Sequence, residues 1–131
     1  MGQPAAKMGD RVMAMDVHII LIPSPGGPVP TPTPMPFAGM IAGGCSANVM
    51  IMGQPAATLG STANNVPPHL PMGGPFAVPP TNQATIIKGS ATVLINGKPA
   101  ARAGDTALTC NDPAPLPNGT VMAVGTVLIG G

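Results

Sequence analysis

ATVLINGKPAARAGD, residues 91–105, decides the fold, because ANVMIMGQPAATLGS at residues 47–61 repeats it at identical spacing. The shared pattern is A-x-V-x-I-x-G-x-P-A-A-x-x-G. A third copy is split across the chain. GTVLIGG at 125–131 matches the first half of the pattern, and MGQPAAKMGD at 1–10 matches the second. Internal repetition of this strength takes precedence over every other fold signal. Each copy reads as a β-hairpin. Thr92-Val93-Leu94-Ile95 alternates and is rich in β-branched residues. Asn96-Gly97 follows as a strong hairpin turn signal, with Met52-Gly53 at the same place in the second copy. Pro99 and Pro55 begin the return strands, and Gly-Asp or Gly-Ser closes them. The expected architecture is all-β: three hairpins about a pseudo-threefold axis. In it the first and last strands pair and close the ring, which removes a free sheet edge. The whole of 1–131 is read as one domain, with repeat units 1–10 plus 125–131, 47–61 and 91–105.

Composition narrows the class. Gly (18) and Pro (19) exceed a quarter of the 131 residues, yet 44% are hydrophobic and only 7% charged, which is unlike a disordered chain. There is no Trp or Tyr, so the core must be built from small and β-branched side chains. A net charge of +1, with Lys7, Arg11, Lys88, Lys98 and Arg102 scattered along the chain, argues against nucleic acid as a partner. No stretch reaches the length of a membrane span, and no secretory signal is visible, so synthesis in the cytoplasm is expected. Pro-rich connectors at 23–36, 67–80 and 112–117 are expected to lie as extended loops along the body.

Repeat phase also singles out a set of donors. His18 and His69 each follow the closing Gly of a copy by nine residues, and Cys110 follows Gly104 by six. Pseudo-threefold symmetry would gather these three at one end of the molecule. Cys45, preceding the outgoing strand of the second copy, is a fourth candidate on weaker grounds. Two His and two Cys form a set suited to structural Zn²⁺. A metal would stabilise a tip of Gly- and Pro-rich loops that cannot bury much apolar surface. The competing reading makes His69 a loop histidine, His18 a strand residue and both cysteines small buried groups. Enzyme activity is not expected: the chain has no Glu, a four-ligand zinc leaves no open position, and no nucleophile elbow, P-loop or dinucleotide fingerprint is present.

VLINGKPAARAGD, with Pro99-Ala100-Ala101-Arg102 at its centre, PAAT at 55–58 and PAAK at 4–7 resemble the proline-alanine-alanine-arginine (PAAR) repeat family across nearly the whole chain. The resemblance implies a cone seated on the trimeric valine-glycine-repeat spike of a contractile injection machine, such as a type VI secretion system or phage-tail-like particle. It implies one copy per trimer, a zinc ion near the apex held by His and Cys, transient contact with a target membrane during puncture, and delivery outward with the particle. The alternative role is an adaptor that recruits effector cargo to the spike. At this length no fused toxin domain is expected. The chain departs from the family pattern in its long Pro-rich insertions and in Ser61 at the position of the repeat Asp.

Overall fold

The computed structural model describes residues 2–130. Met1 and Gly131, the outermost residues of the split copy, lie outside the described residues. Within them the structure is all-β, in twelve strands: β1 (Gln3–Pro4), β2 (Arg11–Ile22), β3 (Val29–Gly43), β4 (Met50–Ile51), β5 (Gln54–Pro55), β6 (Thr62–Asn65), β7 (Gln83–Ile86), β8 (Leu94–Ile95), β9 (Lys98–Pro99), β10 (Thr106–Thr109), β11 (Leu116–Met122) and β12 (Leu128–Ile129). No helix among these residues is long and apolar enough to cross a membrane.

The strands form two tiers. The lower tier, or base, holds three two-residue ladders: β4 with β5, β8 with β9, and β1 with β12. The last pair joins opposite ends of the chain through Gln3↔Ile129 and Pro4↔Leu128, the pairing that the split repeat anticipates. Both intact hairpin turns have two positive-φ residues, Met52 (50°) and Gly53 (84°) in one, Asn96 (53°) and Gly97 (81°) in the other. That geometry matches the right-handed twist of the flanking strands.

The Pro-Ala-Ala segments form the hub. The Ala6 N–H donates to the Ala101 carbonyl, Ala101 to Ala57, and Ala57 back to Ala6, at 2.9–3.1 Å. A second ring runs in parallel: Met8 donates to Pro55, Leu59 to Pro99 and Ala103 to Pro4. All six alanines at these positions are at most 1% exposed. Alanine is required because three backbones converge here and leave room for a methyl group only. Below the hub, Ile51, Ile95 and Ile129 pack with Ala5, Ala56 and Ala100 in a small apolar cluster with one member of each type from every repeat.

The upper tier is a closed six-stranded barrel in the order β10-β11-β2-β3-β6-β7. It is made of three longer hairpins, each rising from the end of one Pro-Ala-Ala segment. Its core gathers Val12, Phe37, Ile41, Ala63, Ile86, Ala107 and Val121, all essentially buried. Gly39 makes room for it: a Cβ there would stand 2.5 Å from the Phe37 ring. The Pro-rich stretches divide. Residues 66–82 form an irregular loop, but Val29–Pro36 is strand, paired with β2 from Ile22↔Val29 to Met15↔Pro36.

Strand pairing there is compatible with proline for a geometric reason. The Val17, Ile19 and Leu21 backbone groups face away from β3: Leu21 donates to Pro75, Ala77 donates to Ile19, and Asp112 donates to Val17. Their partners Pro34, Pro32 and Pro30 must likewise face away from β2. Each missing N–H therefore falls on the outer edge of β3, which pairs with β6 only from Gly39 to Gly43. The result is a free edge whose outward positions carry no donors, a protection against edge-to-edge association.

Candidate metal centre

Along β2 the pleat alternates exposed Arg11, Met13 and Met15 with buried Val12, Asp16, His18 and Ile20. Period-two geometry thus aims Asp16 and His18 at the same interior. Cys110 follows directly after β10, and His69 lies in the loop after β6. The His69 N–H donates to Asn82 Oδ1 (2.8 Å), and the Asn82 carbonyl accepts the Asn65 N–H (2.8 Å), which ties the loop to the barrel wall.

These four side chains meet above the core. One donor atom from each of Asp16, His18, His69 and Cys110 lies within 4.8 Å of all the others, and all four residues are buried. His69 Nε2 stands 3.0 Å from Asp16 Oδ2. Cys110 Sγ is 3.3 Å from the same oxygen and 3.6 Å from His18 Nε2. The other carboxylate oxygen of Asp16 accepts the Thr109 hydroxyl at 2.6 Å. The imidazoles are tilted against one another, centroids 4.9 Å apart, with Phe37 below His69 at 6.1 Å and Phe76 at the edge of His18 at 5.9 Å.

Electrostatics mark the cluster as costly in its bare form. Burial lowers the pKa of His18, helped by the neighbouring His69. Burial also pushes the Cys110 thiol up to about 11, with the Asp16 carboxylate adding to the shift. Against those effects, the backbone N–H groups of Asn82 and Gln83 point at the sulfur and favour its thiolate. A carboxylate, a thiol and two imidazoles packed without water would be an odd core, since buried polar groups normally have satisfied partners. His18 Nδ1 has none. The set does fit a divalent cation. Donors around a tetrahedral ion with bonds of about 2.0–2.3 Å lie about 3.3–3.8 Å apart, and a thiolate with a carboxylate balances two positive charges. Asp16, His18, His69 and Cys110 could therefore hold a metal ion.

Three residues expected from the sequence, His18, His69 and Cys110, are brought together. Cys45 is not among them. It follows the end of β3, half-buried beside Gly44, Ser46, Thr58 and Asn96, with its Sγ 3.8 Å from the Gly43 carbonyl. The β2–β3 hairpin, one of the three wings of the barrel, accounts for the separation. β3 descends fifteen residues to the base before Cys45 is reached, whereas His18 stands seven residues up β2 from Arg11, a rise of about 23 Å. Asp16 stands with the other three instead. The readable signal for it was Asp-x-His on an alternating strand, which puts both side chains on one face. Two of the other aspartates behave as the repeat suggests: Asp10 accepts from the Lys7 N–H and Asp105 from the Arg102 N–H, each closing the turn after its Pro-Ala-Ala segment. Ser61 does the same for Thr58 at 2.9 Å, so its hydroxyl replaces the repeat carboxylate without loss of the cap.

Comparison with known proteins agrees with this architecture. No curated protein sequence matches the chain. The family model described as PAAR motif matches twice, over residues 21–113 and 77–131. The chain, with its three Pro-Ala-Ala hairpins closed about one axis, belongs to the PAAR motif family.

Proposed function

We propose that the protein is the tip of the spike of a contractile injection machine, seated as one copy on a trimeric valine-glycine-repeat spike and leading it through the target membrane. The carrying observation is the symmetry of the base. Met50, Leu94 and Leu128 occupy equivalent ladder positions, opposite Pro55, Pro99 and Pro4, and each is about 56–61% exposed. A single chain that presents one apolar side chain per repeat about a threefold axis suits a partner with three identical subunits. Apolar, nearly uncharged contact of this kind is typical of lasting interfaces. The role is mechanical: the base distributes load through its backbone rings, and the metal centre stiffens the opposite end, where the loops have little core of their own.

Zn²⁺ is the ion we assign to the centre. Two imidazoles and a thiolate suit it, and a fourth protein donor gives a closed, structural coordination shell. Co-expression with a trimeric spike followed by native mass spectrometry tests the docking. One copy per trimer is expected, with Leu94→Asp and Leu128→Asp together abolishing it. A wild-type protein that fails to join the trimer, or a double variant that joins it unimpaired, would overturn the reading.

A further inference from the structure

His18 presents Nε2 to the other donors, and its second nitrogen is the only buried side-chain N or O atom among the described residues without a hydrogen-bond partner. The acceptor facing that Nδ1 is Asp112 Oδ1 at 3.6 Å. Both side chains are buried, His18 to 1% and Asp112 to 7% exposure. Asp112 is also pinned in place. Its Oδ2 accepts the Ile19 N–H at 2.8 Å, and its own N–H donates to the Val17 carbonyl at 2.8 Å. These two contacts grip β2 on either side of His18. Asn111 reinforces them by accepting the Val17 N–H through Oδ1 at 2.7 Å. The carboxylate is thus built into the wall with one oxygen used by the backbone and the other aimed at an orphaned ring nitrogen.

We propose that Asp112 is a positioning residue for the metal centre, accepting the Nδ1–H of His18 and so keeping Nε2 free to ligate. The proposal rests on reading the four-donor cluster as a metal centre. An approach of about half an ångström brings the pair to hydrogen-bonding distance. The proton on Nδ1 fixes the tautomer and the ring plane, and the adjacent negative charge makes Nε2 a better donor. Asp112 touches no ion in this role and acts through the imidazole.

Asp112→Asn separates this role from a structural one. An amide has one oxygen for two donors. If it keeps the Ile19 N–H, its NH₂ faces Nδ1 and favours the tautomer that protonates Nε2. Zinc affinity, measured by competition with a chromophoric chelator, is expected to fall about 10–100-fold, while the urea midpoint of the chelated protein stays at the wild-type value. Unchanged affinity, or a loss matched by the same fall in stability of the chelated protein, would overturn the proposal. A second measurement avoids the variant: ¹⁵N spectra of zinc-loaded wild type should show the proton of His18 on Nδ1 and none on Nε2. The reverse assignment would overturn it. Wild-type protein that takes up no near-stoichiometric zinc would remove the metal centre itself, an outcome distinct from either of these.

Discussion

The base and the apex of this molecule are stabilised by different means. At the base, three nearly identical segments close two rings of backbone hydrogen bonds around six buried alanines. Everything there is local to the repeat, and each copy contributes the same groups. At the apex the three wings differ in length and path, and what joins them is a set of side chains, Asp16, His18, His69 and Cys110, used once each. Backbone rings need little more than small residues and a register. A side-chain cluster needs an ion or proton to compensate its buried charge. The two ends should consequently respond to different perturbations.

The largest effect is expected at the base. Ile129→Ala truncates one of the three isoleucines of the small apolar cluster and loosens the pairing of β12 with β1, at a cost of about 2–4 kcal/mol. Urea denaturation should place its midpoint well below wild type, and an Ile129→Ala midpoint equal to wild type would refute the closed ring. Next comes metal removal. If the cluster holds zinc as proposed, free zinc at about 100 times the dissociation constant adds about 2.7 kcal/mol of stability, which chelation should remove and His18→Ala should abolish even with zinc present. Thermal unfolding with and without chelator measures both.

The chelated protein should also show a pH profile of defined sign. His18 is shifted below its usual value in the folded state, so the unfolded chain binds the proton more readily. Stability must fall as pH drops below about 6.5. Cys110, raised from 9.0 to about 11, holds its proton longer when folded. Stability must therefore also fall as pH rises from about 9 toward 11. Urea midpoints across this range check both limbs, and His18→Ala should flatten the acid one.

Two smaller effects distinguish wing from base. Pro32→Thr with Pro34→Thr restores N–H groups to the free edge of β3, and is expected to leave the melting temperature nearly unchanged while producing concentration-dependent self-association in analytical ultracentrifugation. At the base, Met52 stands at φ 50°, where Asn is the natural occupant and where Asn96 stands in the next copy. Met52→Asn should stabilise by up to about 1 kcal/mol, readable as a small upward shift of the urea midpoint.

The same division explains what the sequence made legible. The base was readable because identical letters recur: A-x-V-x-I-x-G-x-P-A-A specifies strand, turn and hub, and the split copy predicts the meeting of β1 and β12. The barrel above it was not, since β3 hides its strand character under alternating prolines whose consequence depends on which edge is free. Repeat phase pointed to His18, His69 and Cys110, which lie together in the fold, and to Cys45, which lies apart, because phase says which repeat a residue belongs to and nothing of how far the intervening hairpin travels. Asp16 escaped notice for the converse reason. It owes its place to strand alternation beside His18, a one-copy feature with no counterpart in the other repeats.

Hydrogen exchange on the same protein, zinc-loaded and chelated, tests the two-part construction most directly. The amides of Ala6, Ala57 and Ala101 are predicted to remain protected in both states, while those of Val17, Ile19, His69 and Asp112 lose protection when the metal is removed. Equal loss at both ends, or no change at either, would contradict a base held by its backbone and an apex held by its ion.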